Sequence, residues 1–90
     1  MPASALPGAE LISQGLEDLE RGTESIEALL ISIAAPRLRT LGYSFGDGVP
    51  EPELRLYRLL AERYGDSAHS QYNALIRRIV SFQRAAACAT

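Results

Sequence analysis

Between Asp66 and Ala87 the apolar residues Ala68, Tyr72, Leu75, Ile76, Ile79 and Val80 recur at spacings of four, three, one, three and one. That stripe suits an α-helix with one buried face and nothing else of comparable length. Every formal charge after Asp66 is positive. Arg77, Arg78 and Arg84 fall largely off the apolar stripe, so the helix is expected to pack with one side and offer guanidinium groups with the other.

Ninety residues make one domain, and 47% apolar content is too high for a disordered chain. A chain of this size buries roughly 60–70% of its unfolded surface, so association would add to a thin stability margin. Leucine and isoleucine dominate, and there is no tryptophan, which suits an aliphatic helical core. The net charge of −2 disfavours a surface devoted to nucleic acid or anionic membrane. The distribution is uneven: residues 1–35 hold six acids and one arginine, whereas residues 36–90 hold eight arginines and five acids. Acidic early helices packed beside a basic late one explain this, as does a basic face for an anionic partner. All nine cations are arginine, whose planar fork pairs with carboxylate or phosphate.

Cys88 has no second cysteine to pair with, as expected in a reducing compartment. Residues 1–8 lack the basic and apolar regions of a signal peptide. The longest apolar stretch, Ala28 to Ala35, is far short of the ~20 residues of a membrane span. A soluble, cytoplasmic protein is expected.

Residues 1–8 read as a flexible leader, 9–87 as a single helical domain and 88–90 as a tail. A first helix starts near Pro7–Ala9, buries Leu11, Ile12, Leu16 and Leu19, and stops at Gly22. Gly15 inside it marks a close helix crossing. Thr23 is placed to cap a second helix, with Glu24 and Glu27 in its first turn. Its apolar face (Ile26, Leu29, Leu30, Ile33) and Ile31 make it central. A strand is the rival reading for Leu29 to Ala35, although the i, i+3, i+4 register favours helix. Pro36 should break or kink this helix, or open a fresh one to Leu41. Residues 43–52 form one Gly/Pro-rich loop. Pro52 opens a helix through Tyr64, with its period set by Leu56, Leu59, Leu60 and Arg63 and with Leu54, Tyr57 and Tyr64 beside it. Gly65 ends that helix, and Asp66 or Ser67 caps the last. The predicted fold is all-α, a small bundle of four to five helices.

No metal site, cofactor loop or catalytic set emerges. Ser67 and His69 stand two apart on a helix, on different faces, with no strained turn to raise a nucleophile. His69 has no second histidine or clustered cysteine to complete a zinc site. Asp47, Glu51 and Glu53 lack the alternating ligands of a calcium loop, and Gly46-Asp47-Gly48 lacks the lysine of a phosphate cradle. The aromatics at helical spacing on two helices (Tyr57, Tyr64, Tyr72 and Phe82) fit core and core-edge packing, or, for a tyrosine at a rim, an anchor at an interface.

The best candidate surface comprises Arg37, Arg39, Tyr72, Asn73, Arg77, Arg78 and Arg84. Two functions fit it. One is a non-enzymatic interaction or regulatory module that docks on a protein partner or on itself. The other is a nucleic-acid-binding regulator that reads with the last helix. Three arginines on that helix are few for phosphate binding at physiological salt, which favours the first. No cofactor, membrane or small-molecule substrate is expected.

Overall fold

The computed structural model describes residues 6–89. All regular structure among them is helical: α1 (Ala9–Glu20), α2 (Ile26–Thr40), α3 (Pro52–Tyr64), a 3-10 turn (Gly65–Ser67) and α4 (Ala68–Ala89). Leu29 to Ala35 are helical, as their register favoured, and the rival strand reading falls away. Pro36 lies inside α2 and starts nothing new, and α3 reaches α4 through a single tight turn.

Helix α2 is the central element. Ala28, Leu29, Leu30, Ile31 and Leu38 have no exposed surface. Burial explains why Pro36 fails to break the helix. A proline in a helix interior removes one hydrogen bond and costs about 3 kcal/mol. Leu30, Ala34 and Leu38 keep one face buried only if the helix continues past it, and fully burying a leucine contributes about 1.5–3 kcal/mol. Pro36 itself faces solvent, and the Leu41 amide still donates to the Arg37 carbonyl at 3.1 Å.

Helix α1 lies against α2 at Gly15. A Cβ on Gly15 would sit 2.6 Å from the Glu27 carbonyl and would also strike Ile31, so the expected close crossing exists and requires glycine. Glycine also serves the turn that follows, since Gly22 adopts a φ of 74°. The cap of α2 is Ser25, not Thr23. Its hydroxyl accepts from the Ala28 amide at 3.0 Å, which leaves Glu24 outside the helix.

The leader expected at residues 1–8 is docked at its near end. Leu6 belongs to the core, and Gly8 caps α1 against the Arg78 backbone and Phe82. Residues 1–5 of that leader lie outside the described residues. Helix α4 runs on to Ala89, into the segment read as a tail, and Cys88 is exposed on it, while Thr90 lies outside the described residues. The Ser67 hydroxyl donates back to the Tyr64 carbonyl at 3.0 Å.

The loop between α2 and α3 is strapped down at several points. Tyr43 packs its ring 6.0 Å from that of Phe82, and the Val49 amide donates to Ser32 Oγ at 2.9 Å. Helix α3 then folds back on α4, both cover α2, and Leu56, Leu60, Ile79 and Phe82 close the core.

Candidate interaction surface

The arginines singled out by the sequence do not converge. Arg78 turns toward α1 and pairs with Glu10. Both side chains are about half exposed or more, so the pair stabilises little. Arg39 is used within the fold. Its guanidinium lies 4.7 Å from the Phe45 ring centre and donates to the Gly46 carbonyl at 3.1 Å, pinning the loop to α2. Arg37 is exposed on α2. Arg77 and Arg84 are exposed and make no ion pair among the described residues. Seven residues apart, they lie within about 20° of each other round α4, with half-buried Asn73 on the same side.

Tyr72 belongs to a different grouping. It is half-buried, and its ring stands 5.9 Å from that of Tyr57 on α3. Burial raises the pKa of its hydroxyl, and the charge of Glu53 adds to the effect. The His69 ring also approaches Tyr57, at 6.5 Å. Tyr57 is therefore packed against two rings of α4 while 41% of it stays exposed.

Leu54 and Tyr64 continue this surface along α3, at 46% and 44% exposed. Among the described residues these three are the only large apolar side chains so exposed, and all stand on one helix. With exposed Ala61 they repeat at intervals of three, four and three, roughly 100° round α3 from Leu56 and Leu60. Isolated exposed apolar residues are ordinary, whereas large contiguous patches of them are characteristic of binding faces. The sequence carried this spacing. It was hidden because the buried leucines of the same helix repeat with the same period, and pattern alone does not rank two faces.

Chemistry is sparse elsewhere. No three of His, Cys, Asp and Glu gather in a metal-binding group among the described residues. Asp18 is the best-satisfied carboxylate. It accepts from Ser25 Oγ at 2.5 Å and from Gln14 Nε2 at 2.9 Å, and these bonds hold its pKa below the usual carboxylate value. Since Ser25 also caps α2, Asp18 ties the end of α1 to the start of the next helix. A surface notch beside α3 carries Glu24, Glu51, Arg55, Arg58 and Glu62, with Arg55 bound to Glu24 at 2.8 Å. No buried side-chain nitrogen or oxygen among the described residues is left without a partner. No described helix is long and apolar enough to cross a membrane.

Comparison with protein-family models, with curated proteins and with solved structures finds no match for this chain.

Proposed function

We propose that this chain is a small, non-enzymatic interaction module of the cytoplasm that docks on a protein through the outer face of the α3–α4 hairpin. One observation carries the reading: Leu54, Tyr57 and Tyr64 are exposed in a row on one helix, with Tyr57 pre-positioned by Tyr72 and His69. Exposed tyrosines are suited to the centre of a protein interface, because they add contact area with little rotamer entropy to lose. The exposed, unpaired thiol of Cys88 fits a reducing compartment.

A nucleic-acid reading draws on the alignment of Arg77, Arg84 and Asn73 along α4. It is the weaker, because Arg78 and Arg39 are engaged within the chain. Capture of partners from a lysate of the source organism, with and without nuclease, separates the two. The docking reading expects a protein retained despite nuclease and lost on Leu54→Lys with Tyr64→Lys. Retention that nuclease abolishes, and that Arg77→Ala with Arg84→Ala removes, would replace it.

A further inference from the structure

The exposed row on α3 has the form of a coiled-coil seam. Leu54, Tyr57, Ala61 and Tyr64 occupy the alternating three- and four-residue positions through which two helices interlock. Ala61 is small enough to let two backbones approach between the tyrosine layers, and tyrosine hydroxyls can stay wet at the edge.

The flanking charges indicate what pairs with this seam. Glu53 directly precedes Leu54, and Arg58 directly follows Tyr57, so acid and base border the row on opposite sides. Both are exposed, and neither makes an ion pair among the described residues. In a parallel helix pair, the residue before the first seam position meets the residue five further along the partner, and here those two are Glu53 and Arg58. A two-fold axis makes that contact twice. An antiparallel pair would set glutamate flank against glutamate flank and arginine against arginine, which is unfavourable.

We infer that the α3 seam is occupied by α3 of a second copy of this chain, laid parallel, with Glu53 of each copy facing Arg58 of the other. This rests on the docking reading above and names its occupant. Three helical turns make a small interface, and Leu56 and Leu60 are already fully buried within one copy. The association is therefore reversible and joins folded monomers.

Sedimentation equilibrium of the full chain across micromolar to millimolar concentration tests it. The unaltered chain forms a dimer. Glu53→Arg and Arg58→Glu each weaken that dimer roughly tenfold, since each turns two attractive contacts into repulsive ones. Mixing the two variants in equal amounts restores association. The double variant carrying both changes dimerises alone, as only the parallel pairing allows. Circular dichroism stays constant throughout, because both side chains are exposed. A chain monomeric over the whole range, or a double variant as weak as the singles, overturns the inference. If a monomeric chain still captures another protein through Leu54 and Tyr64, the docking reading survives and the second copy does not.

Discussion

Asp18 and Gly15 together fix how α1 meets α2. Two donated hydrogen bonds favour the ionised form of Asp18, so its pKa is lower in the folded chain than in the unfolded one. The stability this contributes is complete above the ordinary carboxylate value of about 4 and is lost as pH falls through the lowered value. Urea midpoints measured from neutral to acid pH should therefore drop on the acid limb, and Asp18→Asn should flatten that drop. Gly15→Ala should destabilise the protein by about 2 kcal/mol. The new methyl strikes the Glu27 backbone, and overpacking of this kind outweighs the gain of about 1 kcal/mol in helix propensity. Thermal or urea unfolding of the variant checks this, and an unchanged midpoint would mean that the crossing is loose. The role of Gly15 was legible in the sequence, because glycine inside a helix needs a reason. The choice of Ser25 over Thr23 was not. Both residue types cap helices, and what decides is whether Asp18 reaches the hydroxyl.

At the scale of elements, the helices were legible where apolar spacing is long and regular, and their ends were not. Helix α4 shows both sides of this. Its apolar period marked it, but whether Arg78 faced solvent depended on where α1 lay. Helix α2 crosses Pro36 because tertiary burial of Leu38 overrides a local breaker, and no local pattern reports tertiary burial. The start of α3 carries strain that no residue pattern announces. Glu51 caps the helix at a φ of 50°, a left-handed conformation that costs a residue with a Cβ about 1–2 kcal/mol. Glycine is relieved of that cost but loses more entropy on folding, by about 0.5–1 kcal/mol. Glu51→Gly should thus raise stability by about 0.5 kcal/mol, read as a higher urea midpoint with an unchanged slope. A lower midpoint would mean that the carboxylate contributes more at the helix start than the backbone loses.

The whole molecule is a flattened body, 38 × 25 × 18 Å, with a radius of gyration of 12.7 Å, close to the ~12 Å of a compact domain of this length. A core of that size is complete without α3's outer row, so the exposure of Leu54, Tyr57 and Tyr64 is not demanded by folding. The candidate surface read from sequence was a set of arginines. The fold divides that set among an ion pair, a loop strut and the open side of α4, and brings Tyr72 to an aromatic face that charge counting does not reveal. Which of two helical faces is covered depends on the packing of neighbours, and a single periodic sequence does not encode it. On the proposed reading, this uncovered face of α3 is where the protein meets another protein. Photo-crosslinking in the source lysate decides this, with a photoreactive phenylalanine derivative replacing Leu54 in one preparation and exposed Glu20 in another. Discrete protein adducts from position 54 and none from position 20 are predicted. Equal adducts from both positions, or adducts to nucleic acid alone, would contradict the claim.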